Sequence, residues 1–212
     1  MERPPLSDYR PRQHLIEACA IGLFALLAAW SLGRLCAATG WAFPAVVLVA
    51  APCGWLAADL FSGLVHFAFD SLGSVHTPFI GNAFIRPFRE HHVDPQAMTR
   101  HGFVETNGAS SLACLPALGA TSLTPLDSAP WILAQAILLF AALGTLATNQ
   151  CHKWAHMDEA ATPAFARRAQ RYRLILPREH HQLHHTAPFD SHFCTSCGWL
   201  NPALNALLRT WR

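Results

Sequence analysis

Two long apolar segments near the amino terminus limit the folds open to this chain. They run from about Leu15 to Ala38 and from about Trp41 to Phe69. Because an α-helix rises about 1.5 Å per residue, each segment is long enough to cross about 30 Å of hydrocarbon. Charged residues make up only 13% of the 212 residues and hydrophobic ones 52%, a composition typical of membrane proteins. The sequence therefore predicts a helical protein of the membrane.

Two further apolar segments bring the predicted number of transmembrane helices to four. The third, about Gly108 to Leu123, is short for a full span, and the fourth runs from about Pro130 to His156. The first segment is too long for the apolar part of a signal peptide, so we interpret it as a retained helix. The predicted fold is an all-α integral membrane protein with four transmembrane helices. Residues 1–14 form an amino-terminal arm and residues 15–212 a single domain.

The distribution of positive charge predicts the orientation of these helices. Fourteen of the fifteen Arg and Lys residues lie in the amino-terminal arm, in the polar stretch from Ser71 to Asn107, or from Lys153 onward. Only Arg34 lies near the opposite face. Cytoplasmic loops carry an excess of Lys and Arg, so we expect both termini to be cytoplasmic. No basic run is interleaved with aromatic residues, so nucleic-acid binding is not expected.

Histidines collect on the same predicted face and form a candidate metal site. In the run Arg178-Glu-His-His-Gln-Leu-His-His185, two histidine pairs have i,i+4 spacing, so a short helix can aim three or four imidazoles at one pocket. The other candidates lie at the cytoplasmic ends of segments two and four and in the loop between segments two and three. The full candidate set is His66, His91, His92, His101, His152, His156, His180, His181, His184 and His185.

Ten imidazoles exceed what one metal ion accepts. They suit two ions with four or five ligands each, and such a nitrogen-rich pair at a bilayer surface suggests iron acting with O2 on an unreactive C–H bond. Two other interpretations remain open at this point. His66 and His156 can simply cap interfacial helix ends, or the chain can bind or transport metal. A transporter should place its ligands at mid-membrane, which the histidine distribution disfavours.

Six polar side chains are candidates for orienting the imidazoles through the ring nitrogen that faces away from the metal. The strongest is Asp70, four residues after His66 and therefore on the same helix face. The full set is Asp59, Asp70, Glu90, Asp94, Glu105 and Asn149. No catalytic residue separate from the metal site is predicted. Cys194 and Cys197 have CxxC spacing without a second pair or a thioredoxin-like pattern, so we predict a structural role for them.

Six stretches, in order along residues 59–201, resemble the plasmanylethanolamine desaturase family, the CarF or Kua-type membrane lipid desaturases. They are Asp59-Leu-Phe-Ser-Gly-Leu-Val-His-Phe-Ala-Phe-Asp70, Ile85-Arg-Pro-Phe-Arg-Glu-His-His-Val-Asp-Pro95, Thr99-Arg-His-Gly-Phe-Val-Glu-Thr-Asn-Gly108, Asn149-Gln-Cys-His-Lys-Trp-Ala-His156, Leu176-Pro-Arg-Glu-His-His-Gln-Leu-His-His185 and Gly198-Trp-Leu-Asn201. Two places depart from the family pattern: Gly102 follows His101, and the stretch Phe189–Cys194 is less rich in tyrosine. Both departures bear on the lipid and leave the metal site untouched.

The resemblance implies a membrane lipid desaturase that holds two Fe ions and uses O2. The resemblance implies that the ten histidines are iron ligands or support them. Animal and myxobacterial members of the family convert the 1-O-alkyl ether of plasmanylethanolamine to the vinyl ether of a plasmalogen, whereas a plant branch desaturates a palmitoyl chain on phosphatidylglycerol. The alternative is an acyl-lipid desaturase or a hydroxylase acting on a phospholipid acyl chain. The implied location is the inner membrane of a bacterium or the endoplasmic reticulum of a eukaryote.

The expected partners are the ether phospholipid, the bilayer and a separate electron donor of the cytochrome b5 or ferredoxin type. A separate donor is expected because the sequence has no CxxCH haem motif and no GxGxxG nucleotide loop. Six arginines are candidates either for docking an acidic donor or for binding anionic lipid headgroups. They are Arg86, Arg89, Arg167, Arg168, Arg171 and Arg173.

Overall fold

The computed structural model describes residues 11–78 and 80–209, except for the side chains of residues 82 and 83. These residues form eight α-helices and no strand. In chain order they are α1 (Pro11–Thr39), α2 (Phe43–Ser71), α3 (Arg86–Val93), α4 (Phe103–Leu123), α5 (Ala129–His156), α6 (Ala164–Arg171), α7 (Arg178–His184) and α8 (Asn201–Leu208). Most of the predicted amino-terminal arm lies outside the described residues. The all-α prediction is confirmed for the part of the chain that the structure describes.

The four long helices α1, α2, α4 and α5 form the body of the protein, and each runs opposite to the one before it. A turn at Gly40, whose φ is +53°, reverses the chain between α1 and α2. Glycine occupies this left-handed conformation without steric cost. Helix α5 is antiparallel to α4, since Gln135 near its start bonds Pro125 O and Asn149 near its end bonds Thr106 O. The start of α4 and the end of α5 therefore lie at one end of the bundle.

Glycines allow the long helices to approach closely. A Cβ atom added at Gly54 of α2 would lie 2.5 Å from Phe140 Cβ of α5, and one added at Gly144 would lie 2.7 Å from Ala58 Cβ. These contacts make α2 parallel to α5. Helices α1 and α4 are likewise parallel, since Glu17 packs on Gly108. The start of α1 and the end of α2 therefore also lie at the end of the bundle where α4 starts and α5 ends.

Two stretches of the described chain are long and apolar enough to cross a membrane. The first is the continuous helical run Pro11–Ser71, which contains both α1 and α2, and the second is Ala129–His156, which is α5. Helix α4 is long enough at 21 residues, yet it falls outside both candidate spans. Four crossings therefore remain a prediction, whereas an integral membrane helical bundle is consistent with both stretches.

Helix α4 begins at Phe103, five residues before the predicted start of the third segment at Gly108. Hydropathy does not identify this first turn as helical, because it contains polar side chains that form hydrogen bonds within the helix. The Thr106 hydroxyl donates to Gly102 O and the Asn107 amide to Phe103 O. The extra turn places Glu105 and Asn107 at the end of the bundle where the histidines gather.

Candidate metal centre

Five imidazoles from three helices converge on one point. Helix α5 contributes His152 and His156, helix α7 contributes His181 with His185 directly after it, and helix α3 contributes His91. One nitrogen from each ring lies within 4.8 Å of the others. We call these five residues the first group.

The distances within the first group match ligands of a single ion. His181 Nε2 lies 2.8 Å from the Nε2 atoms of both His152 and His156, and 3.1 Å from that of His185. His185 Nε2 is 2.9 Å from His91 Nε2. A neutral imidazole has one N–H, so one ring nitrogen cannot satisfy three others by hydrogen bonds. Two nitrogens bound at about 2.1 Å to one metal lie about 3.0–3.4 Å apart.

A second group lies directly beside the first and contains a carboxylate. It consists of His66 and Asp70 of α2, His92 of α3 and His184 of α7. Asp70 Oδ2 is 3.3 Å from His66 Nε2, 3.0 Å from His92 Nε2 and 3.4 Å from His184 Nε2. Although buried, His66 Nε2 and His184 Nε2 have no hydrogen-bond partner. Such orphaned ring nitrogens are what a metal-binding site requires.

Backbone carbonyls hold two rings of the second group in one tautomer. His66 Nδ1 donates to Phe193 O at 3.1 Å, and His184 Nδ1 donates to Ser191 O at 2.8 Å. A proton fixed on Nδ1 leaves the lone pair of Nε2 free for a metal. The segment 191–193 thus orients both rings towards Asp70.

The segment that supplies these carbonyls is held in turn by a buried carboxylate of α2. Asp59, which has no exposed surface, accepts backbone N–H bonds from Ser196, Cys197 and Gly198 through Oδ1. Its Oδ2 accepts a fourth, from Leu200. Asp59 was predicted to orient an imidazole directly, but its oxygens bond the carboxy-terminal segment.

Neighbouring residues in the sequence divide between the two groups. His91 and His185 belong to the first group, and His92 and His184 to the second. The ring centroids of His91 and His92 are 5.5 Å apart, and those of His184 and His185 are 5.3 Å apart. The two groups therefore lie side by side and can hold two ions close together.

Eight of the ten predicted histidines lie in the two groups, and two do not. His101 lies 3.5 Å from Glu105, and its backbone carbonyl accepts a bond from Lys153. His180 Nε2 is 2.9 Å from Asn201 Nδ2. Neither ring therefore belongs to the two groups.

The remaining predicted orienting residues have partners of their own. Glu90 pairs with Arg86 at 3.6 Å, and Asp94 pairs with Arg100 at 2.9 Å. Asn149 donates to Thr106 O. The sequence predicts that Asp70 orients an imidazole, and in the structure its Oδ2 lies among the ring nitrogens of the second group. The carbonyls of Ser191 and Phe193 were missed, because any residue carries a backbone carbonyl.

Burial keeps the rings of the first group uncharged. Desolvation, followed by the neighbouring imidazole of His156, lowers the pKa of His91 and of His181 well below its usual range. The same causes lower the pKa of His185 to about 3. At neutral pH these rings are therefore neutral, which is the form that binds metal. The first group offers five nitrogens and the second offers three nitrogens and one carboxylate oxygen, and neither contains the sulfur ligands common in structural zinc sites.

Comparison with known proteins identifies the family. A lipid desaturase domain matches residues 55–212. Plasmanylethanolamine desaturase of Myxococcus xanthus is 42% identical over 196 residues, which are 92% of this chain and 69% of the relative. Plasmanylethanolamine desaturase 1 of Mus musculus is 40% identical over 210 residues, covering 96% and 76%.

A more distant relative is fatty acid desaturase 4 of Arabidopsis thaliana chloroplasts. It is 32% identical over 154 residues, which are 72% of this chain and 46% of the relative. No solved structure matches this chain. The matched domain covers most of the chain and contains every residue of both histidine groups. This chain therefore belongs to the lipid desaturase family, and it resembles plasmanylethanolamine desaturases over most of its length.

Proposed function

We propose that this protein is an O2-dependent di-iron desaturase that introduces the vinyl-ether double bond into the 1-O-alkyl chain of plasmanylethanolamine, forming a plasmalogen. The observation that carries the metal chemistry is the convergence of eight histidines and Asp70 into two adjacent groups. The similarity to two plasmanylethanolamine desaturases supports the substrate. Bound iron would supply the reduction of O2 and the removal of hydrogen from unreactive C–H bonds.

The protein's own residues would hold the ions through neutral imidazole rings and one carboxylate. The first group would hold one ion through five neutral nitrogens, and the second would hold the other through three nitrogens and the Asp70 carboxylate. In the balanced reaction one O2 takes two hydrogens from the chain, together with two electrons and two protons from outside, and leaves as two waters. The electrons must come from a separate donor, for which we propose a cytochrome b5 or ferredoxin type.

The proposed topology has four membrane-crossing helices with both termini and the metal centre on the cytoplasmic side. It is supported by the shared position of the four helix ends beside the histidines and by the clustering of cationic residues in the same part of the chain. Arg34, at the other end, donates to the carbonyls of Thr121 and Thr124. This cation stabilises the carboxy-terminal end of α4, so it does not count against the orientation.

Expression in cells that lack plasmalogens tests the reaction. We expect acid-labile vinyl ethers in the lipid extract with the unchanged protein, and none with His181→Ala or His152→Ala although both remain in the membrane. His76→Ala is the matched control, because His76 is exposed and lies outside both groups. About two iron per chain is expected. Full product from both variants, or a single tightly held zinc, would contradict the proposal.

The second candidate is an acyl-lipid desaturase, favoured by the similarity to fatty acid desaturase 4. The same lipid extract separates the candidates. A double bond in an ester-linked chain, with no vinyl ether, would indicate the acyl-lipid reaction. Oxygen retained on the chain would indicate a hydroxylase.

A further inference from the structure

A cleft of about 510 Å³ opens beside the second group. It lies between the end of α2, helix α3 and the segment 188–193. Asp70 and His92 form part of its wall, whereas no residue of the first group lines it. A molecule in the cleft would therefore meet the second group. The volume is within the range of about 300–1,000 Å³ typical of ligand pockets.

One side of the cleft is aromatic and aliphatic. Phe67 and Phe193 line it with ring centroids 5.4 Å apart, and Phe189 packs its edge against His92 at 5.2 Å. Leu72 and Phe189 are 55% and 41% exposed, so apolar surface remains open at the mouth. Burying an aliphatic chain here stabilises the complex through each methylene group removed from water.

A cation, Arg89, also lines the cleft, together with the carboxylates of Asp70 and Asp190. Arg89 donates through Nε to Phe69 O and through Nη2 to Leu72 O and Gly73 O, which holds the guanidinium in place at the cleft. Guanidinium groups recognise phosphate by charge and geometry. Arg89 and His92 are three residues apart on α3, so their Cβ atoms are about 5–6 Å apart. A phosphate at Arg89 would thus lie on the same side of α3 as His92.

We propose that this cleft binds the phospholipid substrate, with the phosphate at Arg89 and the chain carbons nearest the glycerol against Asp70 and His92. This inference rests on the proposed lipid desaturase function and adds a site and a position of reaction to it. A lipid held in this way would present the carbons near its glycerol, and not its mid-chain carbons, to the second group. The phenylalanine side chains would keep the rest of the chain on the apolar wall.

Photolabelling tests the site without requiring turnover. The probe is a 1-O-alkyl phospholipid that carries a diazirine on the chain close to the glycerol, applied to the purified full chain. We expect labelled peptides from residues 67–72 and 188–193. Leu72→Trp fills the mouth of the cleft and should reduce this labelling about tenfold, equivalent to about 1.4 kcal/mol of binding. Leu64→Trp is the control, since Leu64 is 41% exposed on α2 and does not line the cleft.

A competition experiment tests Arg89. An unlabelled 1-O-alkyl phospholipid should displace the probe about tenfold more effectively than a 1-O-alkyl-2-acylglycerol, which lacks the phosphate. Arg89→Gln should abolish this preference and Arg89→Lys should retain part of it. Arg86→Gln should leave it unchanged, because Arg86 pairs with Glu90 and does not line the cleft.

The outcomes separate this inference from the proposed reaction. Labelling elsewhere in the protein, unchanged labelling of Leu72→Trp, or an intact phosphate preference in Arg89→Gln would overturn the cleft assignment even if vinyl ethers form. Correct labelling with no vinyl ether in cells would support the cleft as a phospholipid site and contradict the proposed reaction.

Discussion

Asp59 should control the ring orientation of two histidines of the second group without contacting them. Its carboxylate accepts four backbone N–H bonds from residues 196, 197, 198 and 200. The same segment continues back to Phe193 and Ser191, whose carbonyls orient His66 and His184. Loosening residues 196–200 should therefore release the tautomer control of the second group. No ring of the first group receives a bond from this segment in the described residues.

Asp59→Asn changes the chemistry at this point without changing the volume. The amide oxygen can still accept the three bonds that Oδ1 receives, now as neutral bonds worth about 0.5–1.5 kcal/mol each instead of about 1.5–3. The amide nitrogen faces the Leu200 N–H, so one bond is lost and two donors oppose each other. Together these effects weaken the attachment by about 4.5–7.5 kcal/mol, or about three to five powers of ten in its equilibrium constant.

Metal analysis and amide hydrogen exchange measure the consequence. We expect purified Asp59→Asn to keep about one iron per chain, to exchange residues 191–200 faster, and to retain its helix content. Ser62→Ala is the matched control: Ser62 Oγ accepts one neutral bond from the Thr195 N–H, so its loss costs about 1 kcal/mol and should leave both ions bound. Full iron and unchanged exchange in Asp59→Asn would refute the reasoning. Equal loss of both ions from a folded protein would refute it as well.

Three further predictions concern the ligands, the helix packing and the thiols. Asp70→Ala should lower the iron content to about one per chain, because the second group loses its only carboxylate, and loss of both ions would show that the groups do not bind independently. Gly54→Val should lower the thermal unfolding temperature by several degrees, because its Cβ would lie 2.5 Å from Phe140 Cβ; Gly22→Ala, with nothing within 4 Å, should not. Burial, with the charge of Asp59, raises the pKa of Cys197 to about 12 and that of Cys194 further, so maleimide should modify them slowly at pH 8 and faster as pH rises; rapid labelling before denaturation would argue against the buried CxxC.

The periodicity of the histidines predicted part of the centre. His152 and His156, four residues apart on α5, do fall in one group with His181 and His185, which are also four apart. The other predicted pair does not stay together: His184 enters the second group, and His180 bonds Asn201. Spacing fixes which side chains share a helix face, but it does not say which neighbour covers that face. Asn201 comes from α8, twenty-one residues later, and its position depends on tertiary packing.

The division of ligands between the two groups is a consequence of chain geometry. Successive residues on a helix point about 100° apart. Two adjacent histidines at the end of a helix can therefore point into two different groups. Helix α3 does this with His91 and His92, and the end of α7 does it with His184 and His185. Helix α5 faces only the first group and helix α2 only the second. Two pairs of adjacent histidines therefore connect the two groups, and one carboxylate, Asp70, distinguishes the second group from the first.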